Sequence, residues 1–247
     1  MQRKIIIALV LLSGLSVVST RGVTSQSPNY VVTQRCTLRK SVNGIDGTLV
    51  LLLDQRLSKP IRKELWGKGD WTYVFSPDST LFKQFSALAP GKAKLKIRND
   101  TGRVIAECYL RTPLARLEAW NPASNANQAF LVTEDYSAGL GSFSGLVTII
   151  LRISDGTFQN VKAIGAVSHK AEPIRLMKSL KSDWRIVNRH ETGGEILSIS
   201  CHPENNGKFV VEYVRYVTEG NRWLKYEREA KGFWESGNPF PSRSAFP

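Results

Sequence analysis

Helix-forming stretches are the scarcest feature of this chain. Only STLFKQFSAL and EPIRLMKSLKS could carry a helix of more than one turn, which leaves strands to build the fold and makes its class all-β. Histidine is also scarce. The three present, His169, His190 and His202, match neither HxxxH nor HExxH, so a zinc site of the usual spacing is excluded. Nucleotide and esterase signatures are missing as well: Gly139, Gly141 and Gly145 do not fall into GxGxxG, the segment holding them leads into a strand instead of a helix, and no GxSxG occurs. Calcium fares no better. NPASNANQAF is spaced somewhat like a DxDxDG loop, but Asn121, Ala123 and Asn125 stand where carboxylates belong. No metal, no cofactor and no complete catalytic set is therefore expected.

A long apolar run occurs at the amino end. MQRK places two cations after the start, and Ile5 to Val18 follows without a charge. Such a run is short of the roughly twenty residues a membrane-spanning helix needs and has the form of a signal peptide. Small residues at Val17 and Ser19, or Val23 and Ser25, put the mature start near Thr20 or Gln26. The protein is expected to be exported and soluble, periplasmic or extracellular, with no transmembrane segment after cleavage.

Cysteine is limited to three. Val32, Cys36 and Leu38 share one face of a period-two segment, and Val104, Ala106, Cys108 and Leu110 share another. Both sulfurs are expected in one core, so a Cys36–Cys108 disulfide is anticipated beside the alternative of reduced, buried thiols. A bridge would close a loop of about 73 residues, worth about 4 kcal/mol in the chain-entropy model. Cys201 is left over.

What is abundant is alternation. Strands are predicted from Tyr30 to Lys40, Thr48 to Asp54, Trp71 to Phe75, Lys92 to Arg98, Arg103 to Leu110, Arg116 to Trp120, Phe130 to Asp135, Leu146 to Ser154, Phe158 to Ile164, Trp184 to Arg189, Glu195 to Cys201, Lys208 to Thr218 and Arg222 to Lys231. Turn sequences such as NDTG, SDG, ETGG and ENNG separate them. With Asp100 and Thr101 at the tip of the NDTG hairpin, Ile97 faces Val104, Leu95 faces Ala106 and Ala93 faces Cys108, while Lys94 meets Glu107 and Lys92 meets Tyr109. APGKAKLKIRNDTGRVIAE thus resembles the closing hairpin of an immunoglobulin-like sandwich. KFVVEYVRYVTEGNRWLKYEREAK forms a second hairpin turning near Gly220, apolar on both faces and so expected at the centre of a sheet.

Charge suggests the domain division. Of 34 Lys and Arg against 21 acids, residues 26–113 hold 15 cations and 7 acids, and residues 114–247 hold 16 and 14. The expected organisation is a signal peptide (1–25), a basic immunoglobulin-like β-sandwich (26–113), an antiparallel β domain with short helical connections and a Gly/Ser-rich loop (114–232), and a Pro/aromatic tail (233–247), either pinned by its aromatics or free.

Two candidate sites follow. Lys92, Lys94, Lys96 and Arg98 alternate with apolar residues, so four cations line one strand face about 6.6–6.8 Å apart, and Arg35 and Arg39 alternate likewise on the first strand. Such a row suits an anionic polymer, and few aromatics accompany it, which ranks nucleic acid low. The second site is the loop TEDYSAGLGSFSG, where Glu134, Asp135, Tyr136, Ser142 and Ser144 could line a ligand. Adjacent strand residues point to opposite faces, so Glu134 and Asp135 do not form an acid/base pair. The leading expectation is an exported non-enzymatic binding or interaction protein of the cell envelope, recognising an anionic polymer or an acidic protein partner in an inhibitor or immunity-type role. The alternative is an envelope-polymer hydrolase using Glu134 or Asp135.

Overall fold

The computed structural model describes residues 28–39, 43–57, 83, 87–120, 128–136, 145–187, 194–220 and 222–247. The signal-peptide segment 1–25, the strand expected between Trp71 and Phe75, most of STLFKQFSAL, and Asn121, Ala123, Asn125, Ser142, Ser144 and His190 lie outside them.

Period-two alternation builds two sheets. The first is an antiparallel meander of β1 (Tyr30–Leu38), β2 (Gly47–Asp54), β3 (Lys94–Asn99) and β4 (Val104–Tyr109), side by side in that order. The second has eleven strands: β5 (Ala115–Trp120), β6 (Ala129–Asp135), β7 (Gly145–Ser154), β8 (Thr157–Asn160), β9 (Lys162–Gly165), β10 (Ala171–Pro173), β11 (Arg175–Ser179), β12 (Ser182–Val187), β13 (Glu195–Pro203), β14 (Phe209–Glu219) and β15 (Arg222–Lys231). Its spatial path is β10-β9-β15-β14-β13-β12-β11-β7-β6-β5, with β8 beside β7. The β15–β9 pair is parallel and the others are antiparallel. The fold is therefore all-β, and helical structure among the described residues is confined to short turns, the 3-10 segments Gln55–Leu57 and Arg243–Ala245 among them. Among the described residues no helix is long and apolar enough to cross a membrane.

One core joins the sheets. Leu49, Leu51 and Leu53 of β2 and Leu95 and Ile97 of β3 pack with Leu117 of β5, Phe130 and Val132 of β6, and Leu151 and Ile153 of β7. Each such side chain contributes about 1.5–3 kcal/mol by leaving water. The described part of 26–113 supplies one layer of this core, and the strands after Leu114 supply the facing one. Gln34 fastens the edges, its Nε2 donating to the Leu117 carbonyl at 3.0 Å and its Oε1 accepting the Leu117 N–H at 2.8 Å. A second core on the opposite face of β5–β7 gathers Trp120, Leu131, Ile150, Ile174, Leu176, Ile196, Tyr216 and Trp223.

Three expectations are corrected. The β3–β4 hairpin pairs Ile97 with Ala106, Leu95 with Cys108, Lys96 with Glu107 and Lys94 with Tyr109, two residues along from the predicted register. The slip preserves the faces, and it arises because Gly102, at φ 81°, extends the turn and a bulge follows between Ile97 and Arg98. EPIRLMKSLKS contributes to β10 and β11 instead of a helix; Ile174 and Leu176 alternate into the second core. The Cys36–Cys108 bridge is not formed, and all three cysteines are free. Both sulfurs do face the shared core, but β2 and β3 stand between β1 and β4. Three strand spacings are about 14 Å, twice what a disulfide spans.

The C-terminal tail is docked. Trp234 and Phe246 are buried, and Trp234 and Phe240 pack on Ile199, Cys201 and Val211. Gly220, at φ 58°, closes the β14–β15 hairpin, which lies inside the sheet as its two apolar faces require.

Candidate functional site

The strand of cations holds much of its charge in local contacts. Lys94 Nζ lies 4.1 Å from the Tyr30 ring centre and 4.4 Å from that of Tyr109, a cation between two aromatic faces. Lys96 Nζ pairs with Glu107 at 2.9 Å. Arg98 is half-buried, with an Nε that has no hydrogen-bond partner. Lys92, Arg35 and Arg39 are exposed. Arg35 and Lys96 do share a register row, through Val50 of β2. Val50 is itself buried, so this face is not a bare cationic plane.

Glu134 and Asp135 emerge on opposite faces of β6, as alternation dictates. Glu134 lies in register with Ala115 and Val147, and Asp135 with Leu146. Both are buried. Glu134 Oε2 accepts the backbone N–H groups of Arg111 at 2.5 Å and Thr112 at 3.1 Å. Its carboxylate therefore holds the β4–β5 connection in place. Tyr136 lies nearby with a buried hydroxyl that meets no partner in hydrogen-bond geometry. Burial and the charge of Glu134 push its pKa up, against an opposing pull from Arg111 and Arg175. These groups line a cavity of about 360 Å3 together with Cys108, whose thiol is pushed up by burial.

A larger cavity, about 570 Å3, opens on the other side of β8, and Asn160 lines both. Three cations line the larger one: Arg152 from β7, Lys162 from β9 and Arg222 from β15. Strand register assembles them, since Arg152 pairs with Gln159 of β8, and Trp223 pairs with Ala163, which sets Arg222 beside Lys162. Gln159, Asn160 and Trp223 complete the polar and aromatic lining, and no described lining residue is acidic. Trp223 is fixed by its neighbour Trp120, ring centres 5.6 Å apart. The Arg152 Nε is buried with no hydrogen-bond partner, and none of the three cations has an ion-pair partner among the described residues. Sequence reading missed this site because its residues come from separate segments. One local signal pointed to it: Arg152 is the lone charge within the apolar strand GLVTIILRIS.

Ser200, His202 and Glu212 also come together, across β13 and β14. Ser200 Oγ donates to Glu212 at 3.0 Å and lies 2.8 Å from His202 Nε2. The hydroxyl proton thus points to the carboxylate, so the imidazole meets the oxygen as a donor, the reverse of an activated nucleophile. Among the described residues no group of three His, Cys, Asp or Glu could hold a metal ion. Comparison with protein-family models, curated proteins and solved structures finds no match to this chain.

Proposed function

We propose that this chain is an exported, non-enzymatic binding protein of the cell envelope that holds an anionic polymer. The cavity of Arg152, Lys162 and Arg222 carries this reading, because three cations without a counter-charge share a concave site with amide side chains and an indole. A volume of about 570 Å3 lies within the roughly 300–1,000 Å3 of small-molecule sites. It suits one or two charged units of a polymer chain better than the flat surface of a folded protein. Export rests on the cationic start and the uncharged segment from Ile5 to Val18.

The test is retention of the mature chain on immobilised heparin or lipopolysaccharide over a salt series. Binding is expected to weaken steeply with salt, because neutralising the polymer releases counterions. R152Q/K162Q/R222Q should elute at much lower salt, with a log–log slope reduced by about one per lost contact. K94Q/K96Q should elute close to wild type, since those cations already have partners. Unchanged retention of the triple variant would reject the site.

A further inference from the structure

The smaller cavity has a different chemistry. Its lining is mixed: Leu110, Val147, Ile149, Leu151 and Phe158 supply an apolar wall, with polar groups, Asn160 among them, around it. Arg111 and Arg175 are exposed lining residues. Neither has an ion-pair partner among the described residues. The Tyr136 hydroxyl is a further polar group of the lining, buried and without a partner in strict hydrogen-bond geometry, with Arg111 close enough to act on it through a looser side-chain contact. The one acidic group, Glu134, already accepts two backbone N–H groups.

We propose that this cavity is a second ligand site, which takes an amphipathic monocarboxylate: the carboxylate between Arg111 and Arg175 with the Tyr136 hydroxyl donating to it, and the hydrocarbon among Ile149, Leu151 and Phe158. Planar guanidinium groups match a carboxylate in geometry as well as charge. Arg111 can only donate to the Tyr136 oxygen, which leaves the hydroxyl proton free to be given to a carboxylate oxygen. Apolar walls with a few convergent polar groups are the ordinary form of a small-molecule site, and about 360 Å3 is enough for a medium-length chain. A polyanion fits poorly here, because its charges would meet the apolar wall.

The experiment is calorimetric titration of the full mature chain with decanoate and with decanol, both below their aggregation limits. Decanoate is expected to bind about 10–100-fold more tightly, the range for hydrogen bonds to a charged group. R111Q/R175Q should abolish that preference while keeping the wild-type melting temperature, since both side chains are exposed. Y136F should weaken decanoate several-fold and leave decanol unchanged. Absence of decanoate binding, equal binding of the two ligands, or a preference that survives in R111Q/R175Q would overturn the proposal. Heparin retention separates this site from the polymer site: R111Q/R175Q should keep it, and R152Q/K162Q/R222Q should lose it while still binding decanoate.

Discussion

Glu195→Gln probes how the second sheet holds its C-terminal tail. The Glu195 side chain is 6 % exposed. It accepts hydrogen bonds from Arg215 Nε and, at 2.8 Å, from Arg243 Nε. Arg215 also donates from Nη1 to the Pro247 oxygen at 3.0 Å, so one guanidinium ties β14 to β13 and to the last residue. Removing one partner of a buried pair costs about 3–5 kcal/mol. Here Arg215 and Arg243 are 26 % and 54 % exposed and regain hydration, which brings the expected loss to about 2 kcal/mol. For a chain of this size that lowers Tm by about 4–8 °C. The pH dependence has a definite sign. Burial alone would raise the Glu195 pKa, but hydrogen bonds from Arg243 and Arg215 outweigh it and hold the group below its ordinary value. Its stabilisation is therefore complete above the unfolded-state pKa of about 4.3 and disappears as pH falls through the lower native value. Urea melts followed by circular dichroism should show E195Q well below wild type at pH 7 and the gap closing in acid. A wild-type midpoint for E195Q at pH 7, or a gap independent of pH, would refute the reasoning.

Two further outcomes follow from the fold. Gln34→Ala removes both side-chain hydrogen bonds to the buried Leu117 backbone; a loss of about 1–3 kcal/mol is expected in urea melts, and a change within error would mean that the edges of the two sheets are held together elsewhere. Thiol titration of the denatured chain without reductant should count three reactive sulfurs, whereas a count of one would restore the bridge.

Facing was legible in the sequence and neighbourhood was not. That Leu95, Ile97, Cys36 and Cys108 point into one core follows from local alternation, and they do. That Cys36 and Cys108 are separated by two strands depends on strand order, which alternation does not encode. The β3–β4 register failed for a related reason: a two-residue slip leaves every side chain on its face, so pattern alone cannot detect it, and the extended turn at Gly102 decides. Charge suggested the domain division, and packing crosses it. The core that the described part of residues 26–113 shares with β5–β7 is apolar and continues past Leu114, and a count of charges carries no information about it. EPIRLMKSLKS has helix-compatible composition, yet pairing of Arg175 through Ser179 with β7 overrides it.

Lys94 and Lys96 differ from the cavity cations in what surrounds them, and that difference is what favours the cavity in the proposed reading, although Lys92, Arg35 and Arg39 are exposed without an ion pair among the described residues, as the cavity cations are. A charge already neutralised by a neighbour gains little from a ligand, because it must surrender one favourable contact to make another. Lys94 lies between two tyrosines and Lys96 pairs with Glu107, so a polyanion reaching them would displace contacts within the protein as well as water. Arg152, Lys162 and Arg222 are brought into one concave lining from three strands with no acid in it. Lys162 and Arg222 are exposed and hydrated, so an incoming anion would displace water and salt ions instead of contacts within the protein, and the partnerless Nε of Arg152 offers it an unmet donor. Regular spacing along a strand is visible in the sequence and draws attention to the first set. Counter-charge depends on adjacent strands, and it is what sets Lys96 apart from the cavity cations.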